Sequence, residues 1–120
     1  MAQDFNKVIF LGRIYRPVTI CSSNGKTYAK FTLITNTSGA AAGFINVLIA
    51  EDSLIKVATD YIIEANTNKR VIVTGTYMYV QSSAPNTVLM TARYIDFIDK
   101  LISQKEADRL AEDKIDFSQD

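Results

Sequence analysis

The sequence predicts an all-β fold: a five-stranded Greek-key barrel with one helix between its third and fourth strands and a short helix after the last. Two observations predict it. Apolar, β-prone segments of strand length recur along the chain, separated by clusters of Gly, Asn and Ser. One stretch midway changes from strand-like to helical spacing of its apolar residues. The resulting order, strand, strand, strand, helix, strand, strand, is that of an OB-fold.

The first strand falls in residues 5–14, where Phe5, Val8, Ile9, Phe10, Leu11 and Ile14 form an almost continuous apolar run. Such a run predicts a strand buried on both faces or pairing across a subunit boundary. Gly12 within it predicts a bulge or a sharp bend. Pro17 and the Cys21–Gly25 cluster predict a turn region, with Asn24-Gly25 as its hairpin signal. A second strand follows over Lys26–Asn36. Tyr28, Lys30, Thr32 and Ile34 share one of its faces; Ala29, Phe31, Leu33 and Thr35 share the other, with Phe31 assigned to the core.

Two glycines and several small residues make Asn36–Gly43 a loop. In the third strand, Phe44–Ala50, Phe44 has the parity opposite to Ile45, Val47 and Ile49. Asp52 or Ser53 is expected to cap a helix whose Leu54, Ile55, Val57, Ala58, Tyr61 and Ile62 form one buried stripe ending before Asn66. The fourth strand is Lys69–Val80, in which Tyr77 and Tyr79 share the parity of Val71 and Val73. The polar turn Gln81–Asn86 leads into the fifth strand, Thr87–Phe97. Ser103-Gln104-Lys105-Glu106 has the capping-box pattern and opens a short charged helix with Ala107, Leu110 and Ala111. The expected division is a barrel over 1–98, a helix within 99–112 and a flexible acidic tail over 113–120.

At 120 residues and 48% hydrophobic, the chain suits a single domain with a real core. Its one cysteine, Cys21, excludes an internal disulfide and points to a reducing, cytoplasmic setting. No apolar run reaches the roughly 20 residues needed to span a bilayer, and residues 1–20 lack the signal-peptide pattern. With no histidine, nucleophile–histidine pairs are impossible, and Cys21 alone cannot build a zinc site. Glu51-Asp52 serves a helix N-terminus rather than acid–base work. The expectation is therefore a binding protein with no catalytic residues, cofactor or metal.

Formal charge sums to zero, yet residues 1–95 hold nine basic against five acidic residues, and residues 96–120 hold four against eight. A basic body with an acidic end is the pattern of a polyanion binder carrying a separate tail. Binding single-stranded nucleic acid without sequence preference needs cations for phosphates and flat side chains on which bases stack. Arg13, Arg16 and Lys26 around the first turn, and Lys30 and Thr32 on the second strand, are the candidate backbone contacts. Phe44 and Asn46 on the third strand and Tyr77 and Tyr79 on the fourth complete the candidate groove.

Asn6-Lys7-Val8-Ile9 with Leu11-Gly12-Arg13, Asn24-Gly25, Ala29 with Phe31-Thr32-Leu33, the helix Leu54–Tyr61, and Val71-Ile72-Val73-Thr74-Gly75 together resemble the bacterial-type single-stranded DNA-binding proteins. The resemblance covers roughly residues 5–98. It implies an OB-fold homotetramer whose dimers form through the first strands, here Lys7, Val8, Ile9, Phe10 and Leu11, and which coats single-stranded DNA in replication, recombination or repair. It also implies a phosphate-contacting role for Arg13 and Lys30 and a stacking role for Phe44. Three departures stand out. The family's bacterial members stack bases largely on tryptophans, and the corresponding positions here are Gly39 and Ser82. Ala50 stands where an aromatic often ends the third strand. The family's long linker and acidic Pro-Phe tip, which recruits replication and repair proteins, has only Asp113–Phe117 as its counterpart, without the proline. A compact chain of this kind is more similar to phage-encoded members, acting in an infected host. An OB module that binds a replisome or primosome protein, or RNA, is the alternative.

Overall fold

The computed structural model describes residues 7–35, 43–80 and 87–118, giving the backbone alone for 77–80 and 113–118. The expected loop between the second and third strands, apart from Gly43, the turn 81–86 with Ser82, and Phe5, Asn6 and Gly39 lie outside the described residues. The elements are β1 (Val8–Ser23), β2 (Lys26–Thr35), β3 (Gly43–Ile49), α1 (Asp52–Tyr61), β4 (Arg70–Val80), β5 (Thr87–Phe97) and α2 (Gln104–Ser118). The five strands close a barrel in the order β1-β2-β3-β5-β4. The β3–β5 pairing is parallel and the others are antiparallel. This is the predicted OB topology, with α1 between β3 and β4.

The length of β1 is the main difference from the sequence reading. The strand does not stop at residue 14 but continues past Pro17 to Ser23, and only Asn24-Gly25 turns. Both turn residues have positive φ, 52° and 76°, as a two-residue hairpin turn requires. Val8–Arg13 pair with β4, and from Arg13 onward the strand pairs with β2, so one strand closes the barrel by serving both neighbours in succession. Two register shifts, between Ile14 and Arg16 and between Arg16 and Thr19, make this possible. They also accommodate Pro17, because a bulged residue need not donate to the ladder. The Val18 amide likewise leaves the ladder and donates to the Ile62 carbonyl at 2.8 Å.

Gly12 is not the bulge. Its pairing with Val71 is in register, and its role is close approach: a Cβ there would stand 3.0 Å from the Ile34 carbonyl oxygen. Gly75 is under stronger constraint. It lies where β4 and β5 exchange register, and a Cβ would collide with the Thr91 carbonyl.

Alternation supplies the core. Ala29, Phe31 and Leu33 of β2, Ile45, Val47 and Ile49 of β3, Val71 and Val73 of β4, and Met90 and Ala92 of β5 are buried together with Ile14. Ala58 of α1 and Ile62, which follows its last turn, join this cluster, so the helix closes the barrel's end. Val57 is 37% exposed and falls outside the expected stripe, which is otherwise met by Leu54, Ile55, Ala58, Tyr61 and Ile62. Neither Asp52 nor Ser53 caps α1. Glu51 occupies the N-cap with no side-chain bond to the backbone, and Ser53 Oγ donates to Glu51 Oε1. The run 8–11 is not buried on both faces: Phe10 packs on the core, whereas Ile9 and Leu11 are 57% and 55% exposed.

The segment after β5 is fastened at three points. Asp99 takes a bidentate guanidinium contact and the backbone amide of Arg70. Asn66, fully buried, donates from Nδ2 to the Tyr61 and Ile102 carbonyls at 2.8 Å each and accepts the Ile102 amide at 3.0 Å. Asp60 of α1 accepts the Gln104 amide at the start of α2. Ser103 Oγ accepts the Glu106 amide, the first half of the expected capping box, while Glu106 itself turns to Arg109. Helix α2 runs on to Ser118, past residue 112 and through the segment expected to be tail.

Candidate nucleic-acid interface

The outward face of β1, β2 and β3 is built in cross-strand rows. Register places Arg13, Ile34, Phe44 and Thr87 in one row, Arg16, Thr32, Asn46 and Leu89 in the next, and Thr19, Lys30, Leu48 and Thr91 in a third. Because each strand's other face fills the core, these positions point out of the barrel. Arg13, Arg16 and Lys30 are all exposed. Among the described residues the ion pairs are Arg70–Asp99 and Arg109–Glu106. The three cations of this face therefore hold no carboxylate and are available to an anion.

The bulge in β1 shapes the middle of the face. In a regular strand Tyr15 and Arg16 would lie on opposite sides; with two residues set against Thr32, both are exposed. The Tyr15 ring meets Phe44 edge to face, with centroids 5.1 Å apart and planes at 62°. The Arg16 guanidinium carbon sits 5.5 Å from the Tyr15 centroid. Beneath them Thr32 Oγ1 donates to Asn46 Oδ1 at 2.9 Å, which orients the amide and satisfies the hydroxyl of Thr32, buried although its position faces outward. An open notch results, walled by Tyr15 and Phe44 and floored by Thr32, Asn46 and Thr87. A second depression adjoins it, running past Pro17 and Thr19 to Lys30.

Solved structures of similar fold include single-stranded DNA-binding proteins. The mitochondrial protein Rim1 of S. cerevisiae superposes with a TM-score of 0.63 at 18% identity, covering 82% of this chain and 98% of that one. The Plasmodium falciparum protein in complex with single-stranded DNA gives 0.60 at 16% identity, over 82% and 99% of the two chains. The small single-stranded DNA-binding protein of Streptomyces coelicolor gives 0.62 at 11%, over 81% and 96%. The fold is the OB barrel of these proteins. No protein-family model and no curated protein matches the sequence.

Within this barrel the sequence-derived candidates divide. Arg16, Lys30, Thr32, Phe44 and Asn46 come together around the notch and its extension. Arg13 stands at the row's end, in a shallow cleft with Leu11, Ile34 and Arg70. Lys26 does not join them: it pairs with Ser23 at the hairpin tip, about 14 Å along β2 from Lys30 at the usual strand rise. The backbones of Tyr77 and Tyr79 pair with Thr91 and Leu89, which extends two of the rows. Their side chains lie outside the described residues, and the register shift between Gly75 and Tyr77 breaks the simple alternation counted from Val71. Tyr15 was not among the sequence candidates. Its parity, opposite to buried Ile14, was the available signal; its pairing with Phe44 and Arg16 depends on the bulge.

Proposed function

We propose that this protein binds single-stranded DNA without sequence preference, along the outer face of β1, β2 and β3. The observation that carries the reading is the juxtaposition there of three unpaired cations, Arg13, Arg16 and Lys30, with the Tyr15–Phe44 ring pair. Cations spaced along a groove neutralise phosphates, and exposed aromatic faces hold unstacked bases, which duplex DNA does not offer. The DNA-bound Plasmodium relative, of like fold, supports the same assignment. In a cell this activity coats and protects single strands during replication, recombination or repair.

Assembly is part of the reading. Ile9 and Leu11 form an exposed apolar strip on the outward face of β1, beside Ile72 of β4. A second copy covering that strip, with Lys7, Val8 and Phe10 alongside, makes a homo-oligomer through the first strands, a tetramer in the fullest form. Recruitment of replication or recombination proteins falls to the acidic C-terminal segment, Asp113–Phe117.

Mobility shift and tyrosine fluorescence with oligo(dT), against duplex of equal length across a salt series, test the proposal. Three phosphate contacts predict a log K against log salt slope of about −2 for a single strand. Equal affinity for the duplex, or affinity indifferent to salt, overturns it.

A further inference from the structure

We infer that Tyr15 is a base-stacking platform whose face is held in the free protein by Arg16, and that a nucleobase displaces the guanidinium on binding. The inference rests on the single-strand reading above and assigns to its site a residue that the family resemblance did not supply.

Tyr15 occupies the bulge of β1 and is 42% exposed, although it touches Phe44 on one side. Its other neighbour is a planar cation 5.5 Å from the ring centre, a group that sits on an aromatic face as a base does. The notch beneath is of nucleobase chemistry: aromatic walls, and a hydroxyl–amide pair and a second hydroxyl, Thr32, Asn46 and Thr87, at its floor.

Magnitudes favour the exchange. An exposed cation–π contact is worth a factor of about 2 to 5 in an equilibrium constant. A base stacked on an aromatic ring is worth about 5 to 150. The displaced Arg16 is not lost, since its guanidinium moves the short distance to the phosphate of the incoming nucleotide, where its charge counts again. The two residues thus divide the work: Tyr15 contributes affinity that salt does not screen, and Arg16 contributes affinity that it does.

This division makes the roles separable. Tyr15→Leu is expected to weaken oligo(dT) binding about 5- to 150-fold with the salt slope unchanged, and Tyr15→Phe to bind nearly as the parent. Arg16→Gln is expected to weaken binding and to flatten the slope by about 0.7. Because the chain has no tryptophan, the indole introduced by Tyr15→Trp is a sole reporter, and its fluorescence is expected to be quenched at saturation with oligo(dT). Parent-like affinity of Tyr15→Leu, or an unquenched indole in a protein that still binds, overturns the stacking role and leaves the single-strand reading intact. Failure of the unsubstituted protein to prefer the single strand overturns both.

Discussion

Replacing Asn66 should cost this protein more than replacing any other polar side chain described in its barrel. The side chain is fully buried and joins the turn after α1 to the segment before α2 by three hydrogen bonds. Asn66→Ala removes all three and leaves the Ile102 amide and two carbonyls without protein partners. A buried polar group left unsatisfied costs about 1–3 kcal/mol. Water can reach part of this region, because Tyr61 and Ile102 are only half-buried. Counting the Ile102 amide and one carbonyl as lost gives about 2–6 kcal/mol. For a domain of this size, that corresponds to a drop in melting temperature of roughly 6–36 °C. Asn66→Asp provides the sharper version, since it turns the two donors into a carboxylate facing two carbonyl oxygens. Burial and those dipoles raise that carboxyl's folded pKa above its unfolded value. The destabilisation is then greatest near neutral pH and eases as pH falls through the raised pKa. Thermal melts of both variants between pH 5 and 8, with hydrogen exchange on residues 98–112, check this. A melting temperature within about 2 °C of the parent for Asn66→Ala, with unchanged exchange, would refute the reasoning.

Four further outcomes are expected. The Arg70 guanidinium and amide hold the Asp99 carboxyl down at about 2. The contact's contribution to stability is therefore present above the ordinary carboxylate value near 4 and fades as pH falls toward 2. An NMR titration should find this low midpoint in the parent, and a higher one in Arg70→Gln, which loses the guanidinium but keeps the backbone amide of residue 70. Gly75→Ala drives a methyl into the Thr91 carbonyl and should destabilise by about 1–3 kcal/mol or more in urea melts. Gly25→Ala meets no neighbour but must hold a φ of +76°, and should cost about 1–2 kcal/mol. Leu11→Lys, made in the exposed strip of β1, should lower the light-scattering mass to that of a smaller assembly without lowering the melting temperature of the barrel itself; an unchanged mass would move the subunit contact elsewhere.

Strand order, the Asn24-Gly25 hairpin, the burial of Phe31 and the bounds of β5 were legible because each depends on local spacing or turn chemistry. The course of β1 was not. Pro17 marks the end of a regular strand, and nothing local says that paired register shifts will carry the strand past it. The same shifts hid Tyr15, whose exposure beside Arg16 follows from a two-against-one pairing with β2. Asn66 was read as part of a turn because its partner Ile102 lies 36 residues away. Arg16, Lys30, Thr32, Phe44 and Asn46 were found from parity and residue type, which strand alternation makes sufficient. Lys26 was included on nearness in sequence alone, and the hairpin's length carries it away from the notch.

The most direct test of where DNA lies is an amide NMR spectrum recorded as oligo(dT) is added. The account predicts that the largest shifts fall at Arg13, Tyr15, Arg16, Lys30, Thr32, Phe44 and Asn46, with Val57, Tyr94 and the start of α2 left nearly unmoved. Shifts concentrated at α1 and Tyr94, or at the exposed Ile9–Leu11 strip, would contradict it.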